Sequence, residues 1–141
     1  MGDLKLTYQV DGGDLVQAGE ASSQMKMTLK KLGLPPEIIR KASVCMYEGE
    51  INMVIHANGG EITVDITMDE IIIVLKDVGP GIKDIDKAME AGYSTASDHI
   101  RSLGFGAGMG LPNMKKCSDE MKIDTKIGVG TTVTLVIKLH A

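Results

Sequence analysis

The run Ile71-Ile72-Ile73-Val74-Leu75 constrains this chain more than any other feature. It is the longest unbroken aliphatic stretch in the sequence. At five residues it falls far short of the ~18 that a membrane-spanning helix requires. It is apolar on both faces, which places Ile71 to Lys76 as a strand in the middle of a sheet. Just upstream, Ile62, Val64 and Ile66 alternate with Thr63, Asp65 and Thr67, the pattern of a half-buried strand. Met68-Asp69 turns between the two, so the pair reads as a hairpin. Asp77-Val78-Gly79-Pro80-Gly81 then breaks the second strand.

The rest of the chain organises around that hairpin. Leu4 to Val10 reads as a short strand, with Leu4, Leu6, Tyr8 and Val10 on one side. Asp11-Gly12-Gly13-Asp14 is a turn, and Asp14 is placed to cap a helix running to about Leu32. Gly33 stops that helix. Pro35-Pro36 starts a longer one, from about Glu37 to Ala57, because proline suits a first helical turn. Asn58-Gly59-Gly60 ends it. Beyond the hairpin, Asp84 to Ala91 suggests a short helix. Gly92 to Leu103 is polar and Ser-rich without a period, and reads as a mobile loop. A helix from about Met109 to Ser118 follows. Strands at Met121 to Thr125 and Thr131 to Leu139 close the chain, joined by a turn at Gly128-Val129-Gly130. Three hairpin-like connections predict a mixed, mostly antiparallel sheet with helices on one face. That is an α+β two-layer sandwich, read as one domain over 1–141.

Composition excludes several functions. The net charge of -4 gives no basic face for nucleic acid. One Phe, three Tyr and no Trp leave little to stack on bases. Cys45 and Cys117, the two cysteines, fit neither a CxxC redox pair nor a zinc site, and read as free core thiols. That usage, with no apolar signal-peptide core near Met1 to Lys5, predicts a reducing, cytoplasmic setting. The unusual count is 17 glycines, about 12% against an average near 7%. Their positions matter more than their number.

Three clusters carry chemistry. Glu48, Asn52 and His56 repeat at intervals of four on the long helix, so they share a face. A carboxylate and a carboxamide one turn apart can serve a hydroxyl and a hard, oxygen-preferring cation together. Taken alone, the same trio is also a solvated helix face. Asp77 opens the Asp-x-Gly-x-Gly turn. Its carboxylate can accept from a purine amino group, and the glycines let backbone approach a flat ring. A plain strand-ending turn would look alike. Gly104-Phe105-Gly106-Ala107-Gly108-Met109-Gly110-Leu111 precedes a helix, where successive N–H groups make an anion site. It is not a Rossmann GxGxxG, which would need glycine at 109, 111 or 113, where Met109, Leu111 and Asn113 stand. No Gly-Lys-Ser/Thr exists for a Walker A loop either. Hinge glycines are the plainer reading.

Order strengthens the three. Glu-x-x-x-Asn on a helix is followed by Asp-x-Gly-x-Gly after a strand. A glycine loop opening a helix comes next, then Gly-Thr-Thr before a strand. This series resembles the Bergerat-fold, histidine-kinase-like ATPases, the superfamily of gyrase, heat-shock 90 chaperones, histidine kinases and mismatch-repair ATPases. The resemblance runs from about Leu4 to Leu139. Within the superfamily the chain looks most like the anti-sigma-factor serine/threonine kinases, whose Glu-x-x-x-Asn-x-x-x-His box Glu48, Asn52 and His56 match.

The resemblance implies ATP and Mg2+ as cofactors. It implies Glu48 as general base for a protein serine and Asn52 as magnesium ligand, with His56 beside the nucleotide. Asp77 would accept from adenine, with Gly79, Gly81 and Ile82 shaping its pocket. Gly106, Gly108, Met109, Gly110 and Leu111 would wrap the phosphates. Thr131 would support the adenine side, and Gly92 to Leu103 would be the ATP lid. The implied partners are a small STAS-domain antagonist as substrate and a sigma factor. A homodimer through the N-terminal strand and helix is implied too. A non-catalytic ATP-dependent protein-binding switch, or a detached ATPase domain of a signalling system, would carry much of the same pattern.

Overall fold

The computed structural model describes residues 3–13, 16–89 and 110–140. In chain order these form β1 (Leu4–Asp11), α1 (Glu20–Lys31), α2 (Pro36–His56), β2 (Gly59–Ile66) and β3 (Glu70–Asp77). There follow α3 (Ile85–Ala88), α4 (Gly110–Cys117), β4 (Glu120–Lys126) and β5 (Gly130–Lys138). The strands make one sheet in the order β1-β2-β3-β5-β4. All four pairings among the described residues are antiparallel. The aliphatic run of β3 is therefore central, as expected. The β2–β3 hairpin pairs Ile66 with Ile71 and Ile62 with Leu75. Its turn is closed by Thr67, whose hydroxyl accepts from the N–H groups of Asp69 (3.2 Å) and Glu70 (3.1 Å).

Among the described residues, only one sheet face is fully covered. Ile62, Val64, Ile66, Ile71, Ile73, Leu75, Leu135 and Ile137 are buried there against the helices. Met25 and Leu29 reach this face from α1, Met46 and Met53 from α2, and Met114 from α4. Fully burying one such side chain stabilises by about 1.5–3 kcal/mol. Ile72 and Val74 lie on the other face and are half-buried. The methionines fill the irregular space between helix and sheet, as their flexible thioethers allow. Cys45 is buried and free, and Cys117 is half-buried and free. Burial, with the neighbouring Cys117, pushes the Cys45 thiol up to about 12, which suits an inert core thiol. No described helix is long and apolar enough to cross a membrane.

Two features depart from the sequence expectation. Helix α1 begins at Glu20, well after Asp14, which lies outside the described residues. Its N-cap is Gly19, in the left-handed region, with no side-chain cap of its own. The cap comes from Glu50 on α2. That carboxylate is 2% exposed. It accepts from the N–H groups of Gly19 (2.9 Å), Ala21 (3.3 Å) and Ser22 (2.9 Å), and from the Ser22 hydroxyl (2.7 Å). A negative charge at the positive end of a helix, meeting several donors at once, offsets its own desolvation. Secondly, α3 is shorter than Asp84 to Ala91. Asp84 caps it by accepting from the Lys87 N–H at 3.1 Å. Met89 is its C-cap, and Glu90, Ala91 and the expected lid, Gly92 to Leu103, fall outside the described residues.

Gly49 sits inside α2, where glycine costs about 1 kcal/mol relative to alanine. A Cβ there would stand 2.4 Å from Leu75 Cδ2. Helix α2 thus lies close on β3 at the level of Glu48, and the missing methyl is what permits it.

Candidate nucleotide site

Helix α2 carries Glu48, Asn52 and His56, all half-buried, along one line. The neighbouring α4 runs antiparallel to that line, as three contacts show. The Cys45 thiol meets the Met114 carbonyl at 3.6 Å. Asn113 Nδ2 donates to Glu48 Oε1 at 3.1 Å. Gly110 lies against the Asn52 amide, since a Cβ there would stand 2.8 Å from Nδ2 and 3.1 Å from Oδ1. The last residue of the glycine run therefore meets the amide that follows Glu48 by one turn. Gly106, Gly108 and Met109 lie outside the described residues. The Leu111 side chain is packed in the core, so its backbone alone is left for a ligand.

At the end of β3, Asp77 is half-buried. Its Oδ1 accepts from the Thr131 N–H at 2.8 Å, while Oδ2 has no partner among the described residues. Burial raises the Asp77 pKa above the ordinary value, and the Thr131 N–H pulls it partly back. Thr131 is buried, and its hydroxyl lies 2.9 Å from that of Thr125 on β4. Thr125 in turn accepts from the Ile82 N–H at 2.8 Å. One chain of hydrogen bonds thus joins the ends of β3, β4 and β5 to the loop after β3. Gly130 makes the junction feasible: its φ is 154°, and a Cβ would stand 2.3 Å from the Asp77 carbonyl oxygen. Thr125 was not singled out from the sequence. The signal was there: it pairs directly with Thr131 across the Gly128-Val129-Gly130 turn.

The two groups are continuous through the end of α2. Just past His56, the Asn58 N–H donates to the Val78 carbonyl at 2.7 Å. A Cβ on Gly79 would stand 2.9 Å from Ala57 Cβ. The Gly79 N–H donates to the Val129 carbonyl at 3.1 Å, which ties the same loop to the β4–β5 turn. The line Glu48, Asn52, His56 therefore leads directly onto the Asp77 to Gly81 loop. A cavity of about 340 Å3 between β1 and α1, and another of about 400 Å3 beside α3, α4 and β4, are lined by neither Asp77 nor Asn52. Most of the glycine run 104–111 lies within 90–109, outside the described residues.

For a metal ion, the donors are hard oxygens. No group of three His, Cys, Asp or Glu side chains that could hold one occurs among the described residues. A magnesium ion takes one or two protein oxygens and completes its shell with phosphate and water. The Asn52 amide, beside a glycine and one turn from a carboxylate, suits such an ion.

His56 makes the fold sensitive to pH. Burial lowers its pKa below 6.5. As pH falls through 6.5 the unfolded chain takes up this proton before the folded one, so stability falls. The contribution is full above 6.5 and is lost toward the lower folded value. Asp77, shifted the other way, has the opposite sign: its contribution is full below 3.8 and is lost as pH rises through the raised folded value. Melting temperatures measured between pH 7.5 and 5 should therefore fall less for His56→Gln than for the wild type. Parallel curves would show that His56 titrates alike in both states.

Comparison with known proteins agrees with this geometry. Residues 45–141 match the family described as histidine kinase-, DNA gyrase B-, and HSP90-like ATPase. The chain is 31% identical to the serine/threonine-protein kinase RsbT of Bacillus subtilis over 111 residues, 76% of this chain and 77% of the relative. It is 32% identical to an anti-sigma F factor of Clostridium acetobutylicum over 104 residues, 70% of this chain and 69% of the relative. An anti-sigma F factor of Clostridium beijerinckii is 29% identical over 129 residues, covering 86% of this chain and 87% of the relative.

Proposed function

The chain belongs to the histidine kinase-, DNA gyrase B- and HSP90-like ATPases, and from that premise we propose that it is a Mg-ATP-dependent protein serine kinase of the anti-sigma-factor type. Its substrate is a small STAS-domain antagonist, and its second partner is a sigma factor. It works in the cytoplasm as one domain, with 92–103 as a lid over the nucleotide. The observation that carries the reading is Glu48, a half-buried carboxylate one turn before Asn52 on the α2 face that meets α4. The kinase and anti-sigma names of the relatives support it.

Each residue has a stated task. Asp77 Oδ2 accepts from the adenine amino group, while Oδ1 stays on the Thr131 N–H. Gly79, Gly81 and Ile82 bound the base, with Thr131 behind Asp77. His56 borders the nucleotide where α2 meets the Asp77 loop. Gly106, Gly108, Met109, Gly110 and Leu111 offer backbone N–H groups to the phosphates. Asn52 holds the magnesium ion, which when bound neutralises charge on the phosphate oxygens. Glu48 accepts the proton of the attacking serine hydroxyl. Most of the acceleration then comes from positioning and electrostatics.

The test is direct. A partner recovered from cell extract on the immobilised protein with Mg-ATP is incubated with the chain and γ-labelled ATP. Label on a partner serine or threonine is the expected result. If no label is transferred by the wild type, the non-catalytic switch replaces the kinase, with nucleotide setting only the affinity for the partner.

A further inference from the structure

The hydrogen bond between α4 and the Glu48 carboxylate has no counterpart in the motifs that suggested a kinase. We propose that Asn113 is a positioning residue: it fixes the Glu48 carboxylate so that one oxygen is committed to α4 and the other faces the substrate hydroxyl. The inference rests on the kinase reading above and adds to it a residue outside the three motif clusters.

Four observations carry it. Asn113 Nδ2 donates to Glu48 Oε1 at 3.1 Å, in a partly buried setting. A carboxylate has only acceptors, so the amide must present its NH2 side. Among the described residues, this is the hydrogen bond that fixes the Glu48 carboxylate. Finally, the contact is one rung of an ordered seam. Cys45 meets Met114, Glu48 meets Asn113, and Asn52 meets Gly110. Positions 48 and 52 on α2 thus face 113 and 110 on α4. The two groups that must act together, a proton acceptor and an amide oxygen, both lie against the same short helix, which bonds to the first.

The chemical consequence is specific. A glutamate side chain has three rotatable bonds, and a general base must lie within about 2.6–3.2 Å of the proton it takes. With Oε1 pinned to Asn113, Oε2 is left in a defined place. Without the amide the carboxylate swings, and displacement of a reacting group by about 1 Å can cost up to ~100-fold in rate. The KM for ATP should change little, because Asn113 bonds to Glu48 while the pocket around Asp77 is built by other elements. The loss therefore belongs in kcat.

The experiment measures phosphoryl transfer to the recovered partner by four proteins: wild type, Asn113→Leu, Glu48→Gln and the double variant. Leucine matches asparagine in shape and cannot donate. The expected result for Asn113→Leu is a kcat reduced by about 10–100-fold with the KM for ATP within twofold. Added to Glu48→Gln, it should cost less than a further twofold, because residues acting as a unit are not additive. Asn113→Ala, which admits water in place of the amide, provides the same reading if the leucine variant does not fold. Unchanged kcat overturns the proposal, as does a loss confined to KM. An equal loss on both the wild-type and the Glu48→Gln backgrounds overturns it too. Failure of the kinase reading is distinguishable, since the wild type would then transfer no label, and the proposal falls with it.

Discussion

Replacing Asp77 with asparagine should abolish the rise in melting temperature that saturating nucleotide gives the wild type. The rise itself follows from mass action. A ligand at 100 times its dissociation constant stabilises the folded state by ~2.7 kcal/mol. For a chain of this size that is roughly 10 °C. The asparagine variant is a clean probe because it disturbs the fold so little. Its Oδ1 can keep the bond that Asp77 Oδ1 takes from the Thr131 N–H at 2.8 Å. What changes is the second atom. A carboxylate oxygen becomes an NH2, and a donor then faces the adenine amino donor. A recognition site left with two opposed donors loses the full desolvation cost of both, not just one hydrogen bond. The unliganded variant should melt no lower than the wild type. Burial already disfavours the Asp77 charge, and the amide removes that charge. Thermal scans with and without Mg-ATP and Mg-ADP decide the matter. A ligand-induced rise that survives in Asp77→Asn would take Asp77 out of the adenine site.

What the sequence made legible was the part governed by local periodicity. The alternation of Ile62, Val64 and Ile66, and the unbroken run from Ile71 to Leu75, defined a hairpin with β3 in the middle of the sheet. Spacing of four put Glu48, Asn52 and His56 on one helical line for the same reason. The parts that were not legible depend on contacts between elements distant in sequence. Asp14 looked like a cap because it precedes an apolar pattern, yet α1 takes its cap from Glu50, some thirty residues on, at distances of 2.9–3.3 Å. In sequence Glu50 is a second acid two residues from Glu48, half a turn off the Asn52 face and so a poorer candidate base. Only the packing of α1 on α2 separates a buried structural carboxylate from one that faces α4. Asn113 was noticed only as a residue that is not glycine, since its partner is on another helix. Thr125 likewise acquires its role from its place opposite Thr131. Glycine at 49 is unfavourable in a helix interior, and its reason is a leucine on β3.

Converting Glu48 to glutamine should leave ATP binding near normal and reduce phosphoryl transfer by about 10²–10⁴-fold. The argument begins with what a magnesium site alone would need. One amide oxygen at Asn52, completed by phosphate and water, is sufficient for an ion of that kind. A second oxygen group one turn away is then superfluous to binding. A serine attacking a phosphoryl group has a use for it, because the hydroxyl proton must leave as the new P–O bond forms. Glutamine keeps the length and polarity of Glu48. Its amide oxygen can still accept from Asn113 Nδ2, so the seam between α2 and α4 is kept. It cannot take a proton at neutral pH. The effect should therefore appear in kcat with the KM for ATP little changed, the pattern of an interaction made only in the transition state. Two measurements separate the alternatives: ATP affinity by calorimetry, and single-turnover transfer of γ-label to the partner. If Glu48 merely orients water around the ion, both affinity and magnesium dependence will weaken together while transfer falls by no more than a few-fold. A glutamine variant that transfers label at the wild-type rate would remove Glu48 from the chemistry.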